Sequence, residues 1–119
     1  MKNTFIYLDS CNTCQRIKGE LELPDSIHLQ NTKESPVTEE QVEFFKDQAG
    51  SYEALFNRRA QLYRGRNLHE KDLNEEEYKN LLLDHYTFIK RPILVYKDIA
   101  YIGNSKKVVA AAKEALLNE

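Results

Sequence analysis

Cys11-Asn12-Thr13-Cys14 places the only two cysteines of this 119-residue chain three positions apart. They follow the apolar run Thr4-Phe5-Ile6-Tyr7-Leu8 and precede a helical pattern. A thiol at a helix start meets unpaired backbone N–H groups and the positive end of the helix dipole. Both favour the thiolate, which is the reactive form. Residues i and i+3 of one helical turn lie about 5 Å apart at Cα, within disulfide range. Cys11 is therefore the candidate nucleophile, and Cys14 the thiol that resolves its product as an internal disulfide. A zinc half-site would need two further ligands. Only His28, His69 and His85 are on offer, irregularly spaced, so no metal is expected.

Two other groups of residues could act on an anion. Arg91-Pro92 directly precedes an apolar β-type run. It reads either as an ordinary trans proline opening a strand or as a cis-proline beside the thiol, with Arg91 aimed at an anion. Asn57-Arg58-Arg59 and Arg64-Gly65-Arg66 form a basic cluster. It reads as a solvated surface, or Arg58 or Arg59 binds an oxyanion or a glutathione carboxylate through paired N–H donors.

The elements that must position these residues follow from periodicity. Residues 4–8 form a buried strand ended by Asp9-Ser10, either of which can cap the next helix. In that helix Cys14, Ile17 and Leu21 form the core stripe. Pro24 closes it off, and Ile27-His28-Leu29 is a candidate second strand. Residues 33–88 then turn helical. Thr38 to Gln41 and Asn74 to Glu77 fit capping boxes. Ser51 can cap a short helix carrying Ala54 and Leu55. The last pattern runs through Tyr78, Leu81, Leu82, His85 and Tyr86. Ile93–Tyr96 and Ile99–Ile102 predict an antiparallel hairpin around Lys97-Asp98, which lacks the favoured Asn-Gly chemistry. Asn104 or Ser105 caps a final helix with Val108, Val109, Ala112 and Leu116 inside. The sequence thus predicts a single α/β domain over residues 1–119. It holds a small mixed sheet of about four strands flanked by helices, with a helical insertion between strands 2 and 3.

The formal net charge of −2 gives no reason to expect direct nucleic-acid binding. Two cysteines make no secreted framework, no signal segment is visible, and no apolar run reaches the roughly 20 residues that span a bilayer. A cytoplasmic monomer with free thiols and no membrane association is expected.

Strand–Cys11-x-x-Cys14–helix, Ala54-Leu55-Phe56-Asn57-Arg58-Arg59, and Leu73-Asn74-Glu75-Glu76-Glu77 leading to Ile89-Lys90-Arg91-Pro92-Ile93-Leu94-Val95 together resemble the ArsC/Spx family of arsenate-reductase-like proteins. The resemblance runs nearly the whole length, and residues 89–95 are its most specific part. It implies a thioredoxin-like fold with a helical insertion. It also implies that Cys11 attacks arsenate or a disulfide, that Arg91 contacts the oxyanion, that Pro92 is the cis-proline, and that Arg58 or Arg59 supplies a second arginine. No bound cofactor is implied. Glutathione with glutaredoxin, or thioredoxin, is the implied reductant. In the family's reductases a third arginine stands at the turn before the last helix. Here that turn, Ile102–Lys106, has none, and Lys106 or Lys107 lacks the planar two-point grip. The second cysteine, Cys14, resembles Spx-type regulators, which sense oxidation through such a pair and bind RNA polymerase. An Spx-like redox-sensing transcriptional regulator that binds the polymerase α subunit is therefore the alternative to an oxidoreductase.

Overall fold

The computed structural model describes residues 1–118 and divides them into two compact units, 1–35 with 91–118, and 36–90.

The first unit is built on a four-stranded sheet. Strands β1 (Thr4–Tyr7), β2 (His28–Asn31), β3 (Ile93–Tyr96) and β4 (Ile99–Ile102) lie in the order β2-β1-β3-β4. β1 pairs parallel with β2, while β3 runs antiparallel to both β1 and β4. Side chains alternate across a strand, so Phe5 of β1 and its partner Leu94 of β3 share a face with Tyr7 and Tyr96. On that face lie Ile17 and Leu21 of α1 (Asn12–Leu21) and Ala112 and Leu116 of α5 (Lys106–Leu117). Phe5 is completely buried, and burying such a side chain contributes about 2–3 kcal/mol.

The helical stripe of Cys14, Ile17 and Leu21 is buried as its spacing predicts. Ser105 caps α5 by accepting from the Val108 N–H at 3.2 Å. The Lys97-Asp98 turn has φ of 49° and 62° at its two residues, the doubly left-handed form that matches strand twist.

Local details differ from the sequence reading. The N-cap of α1 is Cys11 itself, not Asp9 or Ser10. The Cys11 N–H turns back to the Leu8 carbonyl at 3.0 Å, and the first helical bond runs from the Gln15 N–H to the Cys11 carbonyl at 3.1 Å. The second strand is His28–Asn31, shifted toward the C-terminus. The Ile27 N–H is taken by the Pro24 carbonyl, so Ile27 closes a turn and its side chain fills the core.

The second unit holds α2 (Glu39–Ala49), α3 (Gln61–Gly65) and α4 (Glu75–Asp84), joined by single 3-10 turns. Both expected capping boxes form, at Thr38/Gln41 and at Asn74/Glu77. The segment capped by Ser51 is one 3-10 turn, Glu53–Leu55, with Ser51 Oγ accepting from the Ala54 N–H. α4 stops at Asp84, short of the expected His85 and Tyr86. His85 is extended, and its Nδ1 accepts from the Thr87 N–H, which starts a new turn. An aromatic core gathers around Phe56, which stacks on Phe88 and meets Tyr63 and Tyr78 edge-on. Among the described residues no helix is long and apolar enough to cross a membrane.

Candidate active site

Strand β1 delivers the cysteine loop. Each step along β1 toward Cys11 is a step back along β3 toward Arg91, because the strands pair antiparallel with Ile6 opposite Ile93. The pairing ends there, just before Pro92 and Arg91, and the Arg91 charge acts on the Cys11 sulfur. Topology alone thus carries a guanidinium from late in the chain to an early thiol.

Cys11 is half-buried and Cys14 fully buried, and both are reduced. Burial works against ionising Cys11. It is outweighed by the backbone N–H of Cys14, the Cys14 thiol, the positive charge of Arg91 and the backbone N–H of Thr13, which together hold the Cys11 thiol below its ordinary range. α1 has no side-chain cap hydrogen bond. The N–H groups at its start act on the sulfur electrostatically, and they favour the anion because sulfur is a weak acceptor until it is charged. Cys14 goes the other way. Burial pushes its thiol up to about 11, against a hydrogen bond with the Leu8 backbone, and the neighbouring Cys11 sulfur adds to the rise. The two thiols therefore have opposite characters: Cys11 is half-buried and easier to ionise than an ordinary thiol, and Cys14 is buried and harder to ionise.

The Arg91–Pro92 peptide is cis. The Pro92 carbonyl accepts from the Gly103 N–H at 2.9 Å, which ties the start of β3 to the end of β4. Gly103 sits at φ 98°, a conformation that favours glycine.

Four of the six residues singled out in sequence, Cys11, Cys14, Arg91 and Pro92, belong to the first unit; Arg58 and Arg59 belong to the second. Within that unit Arg58 donates to Glu53 at 2.5 Å and to the Tyr78 hydroxyl at 3.1 Å. Its positive charge is engaged by this pair, with Glu53 the main stabiliser. The Arg59 side chain is exposed, and its N–H donates to Asn57 Oδ1. Lys106 and Lys107 are exposed in the first turn of α5. Among the described residues no three His, Cys, Asp or Glu side chains gather as a metal site.

Two residues that sequence reasoning passed over also shape the loop. Gln15 Nε2 donates to the Asp9 carbonyl at 3.0 Å, and Asn31 Oδ1 accepts from the Asp9 N–H at 3.3 Å. Gln15 carried a faint signal as a polar residue one helical turn beyond Cys11. Asn31 carried none, since its contact spans 22 positions.

The ArsC family model matches residues 7–112. No curated protein matches the chain by sequence. Among solved structures, an ArsC-family-related protein from Bacteroides fragilis superposes with a TM-score of 0.79 at 24% identity, covering 94% of this chain and 98% of that one. An arsenate reductase from Vibrio cholerae gives 0.70 at 19% identity over 99% and 98% of the two chains. An arsenate reductase (ArsC) related protein from Brucella melitensis gives 0.69 at 19% over 93% of each. The sheet order, its flanking helices and these likenesses identify a thioredoxin-like α/β fold.

Proposed function

From the premise that the chain belongs to the ArsC family, we propose that it is a thiol–disulfide oxidoreductase of the arsenate-reductase type, with Cys11 as nucleophile. The observation that carries this reading is the opposed character of the two thiols within one helical turn, beside one guanidinium.

With arsenate as substrate, the Cys11 thiolate attacks arsenic, one arsenate oxygen takes up protons and leaves as water, and an S–As bond forms. Arg91 stabilises the negative charge on the bound oxyanion. The Cys14 sulfur then attacks Cys11, the S–As bond breaks, and its electron pair leaves on arsenic, which is reduced from the pentavalent to the trivalent state. The proton of Cys14 passes to the departing arsenite, and the product is the Cys11–Cys14 disulfide. With a disulfide as substrate, the first step instead makes a mixed disulfide and expels a thiolate. In either case an external dithiol, or glutathione with glutaredoxin, returns both cysteines to thiols and is itself oxidised.

Cys14 suits the second step because its raised pKa is partly the work of the Cys11 anion. Once Cys11 is an adduct that influence is gone, and Cys14 becomes easier to ionise. Resolution is thereby held back until there is something to resolve.

The test is turnover of arsenate, and separately of a small disulfide, with glutaredoxin plus glutathione and then with thioredoxin as donor. Cys11→Ser abolishes both reactions. Cys14→Ser retains turnover that depends on glutathione. Full turnover by Cys11→Ser rejects the proposal.

A further inference from the structure

The backbone of Asp9 is held on both sides of its Cα, at its N–H and at its carbonyl, by side chains from two different elements. Its N–H donates to Asn31 Oδ1 at 3.3 Å, at the end of β2, and its carbonyl accepts from Gln15 Nε2 at 3.0 Å, on α1. Asn31 Oδ1 also accepts from the Lys33 N–H at 3.5 Å, which fixes the turn that leaves β2. Beside this contact the Thr32 N–H donates to the Tyr7 carbonyl at 2.8 Å, so β2 is locked to the very end of β1 where the cysteine loop begins. Within the loop itself, a single backbone bond, Cys11 N–H to Leu8 carbonyl, joins the two ends.

We propose that Gln15 and Asn31 are positioning residues, which clamp the Asp9 backbone on either side of its Cα and so keep the Cys11 sulfur over the N–H groups at the start of α1. The inference rests on the reading of Cys11 as the working thiolate. Loop segments without such ties sample many conformers, and fixing each residue costs backbone entropy. Two side-chain bonds, one to each of the peptides that flank the Asp9 Cα, supply that restraint where no regular strand or helix does. Neither residue touches the substrate in this scheme, and both act through the position of the sulfur. Asp9 contributes only its backbone; its carboxylate makes no part of the clamp.

The test is the pH dependence of Cys11 alkylation by iodoacetamide in the full chain, followed by mass analysis of the Cys11 peptide. It compares wild type with Gln15→Met, Asn31→Ala and the double variant. Gln15 is exposed, and Gln15→Met keeps its length and helix propensity while removing the donor, so folding is retained even if Asn31→Ala proves unstable. The expected result is a midpoint moved upward by about half a unit to one unit in each single variant. Alkylation at pH 6 then falls about three- to tenfold, because the rate follows the thiolate fraction. The double variant falls short of the summed effects, since both bonds hold the backbone of one residue. Urea midpoints report the purely structural effect, which the alkylation midpoint does not follow. A wild-type midpoint at or above the ordinary thiol value overturns the thiolate reading and this inference with it. A low wild-type midpoint left unchanged in Gln15→Met overturns the inference alone.

Discussion

The Cys14 thiol hydrogen-bonds with the Cys11 sulfur, and the two partners are unequal, Cys11 held below the ordinary thiol range and Cys14 pushed above it. The inequality comes from position on the helix. Cys11 is the N-cap and meets free N–H groups, while Cys14 lies in the first turn on the buried stripe. Cys14→Ala removes the donor, and the alkylation midpoint of Cys11 is expected to rise. Cys14→Ser restores a donor of similar reach, and the midpoint should return most of the way. Equal midpoints in wild type and Cys14→Ala would show that the thiol bond does not matter to Cys11.

Arg91 acts on both sulfurs through its charge. Arg91→Met keeps much of the side chain's bulk and removes the charge. Cys11 should become harder to ionise, and turnover of an anionic substrate should fall more than turnover of a neutral disulfide. Arg91→Lys should keep much of the thiol effect, which needs only a point charge. It should recover less of the anion turnover, which gains from paired donors. Added salt should narrow the gap between wild type and Arg91→Met, to the extent that water reaches the site. Loss of both reactions to the same degree would assign Arg91 a structural role instead.

The sequence made the local features plain. The β1 run, the Cys14-Ile17-Leu21 stripe and both capping boxes depend on neighbours within a few residues, and each formed where its spacing placed it. The two cysteines were legible for the same reason, being unlike anything else in the chain. What escaped depends on contacts far along the chain. β2 is offset because its register is set by β1, with Thr4 opposite His28. The end of α4 is hidden in the pattern because Tyr86 keeps the helical spacing while His85 leaves the helix to cap the turn after it. Gln15 and Asn31 look like ordinary polar residues until the loop they hold is seen.

The second unit carries its own charge network. Glu43 accepts from the Tyr52 hydroxyl at 2.5 Å and pairs with Lys79 at 3.1 Å, while Lys79 also reaches Glu39 at 3.2 Å. The Tyr52 hydroxyl first, and Lys79 second, hold the Glu43 carboxyl below its usual range. A carboxyl with a depressed folded-state pKa binds protons more readily in the unfolded chain. Its contribution is therefore complete above the unfolded value of about 4.3 and is lost as pH falls through the lower folded value. Glu43→Gln is expected to be less stable than wild type at pH 7, with the difference shrinking below about pH 4. Urea midpoints taken between pH 7 and pH 3 check this. A difference that stays constant with pH would mean that the carboxylate's charge is irrelevant.

The turn between β3 and β4 places a lysine and an aspartate in the left-handed region, with φ of 49° at Lys97 and 62° at Asp98. The left-handed conformation costs most residues roughly 1–2 kcal/mol, and Asn and Asp bear it better than Lys. Lys97→Asn therefore relieves strain without the entropy that glycine would add to the unfolded chain. The bond from the Lys97 N–H to the Asn3 side-chain Oδ1, at 3.0 Å, does not involve the Lys97 side chain and survives. A gain of several tenths of a kcal/mol is expected, of the order of other turn corrections. Asp98→Gly faces opposing effects. It removes the left-handed cost at Asp98, but it adds unfolded-chain freedom and deletes the ion pair between the Met1 amino group and Asp98 at 2.6 Å. The Asp98 side chain is 73% exposed, and exposed pairs contribute about 0–1 kcal/mol, so these terms nearly cancel. Urea unfolding should place Lys97→Asn above wild type and Asp98→Gly close to it. A loss well beyond 1 kcal/mol in Asp98→Gly would show that the Met1 pair holds the hairpin against β1 more strongly than its exposure allows.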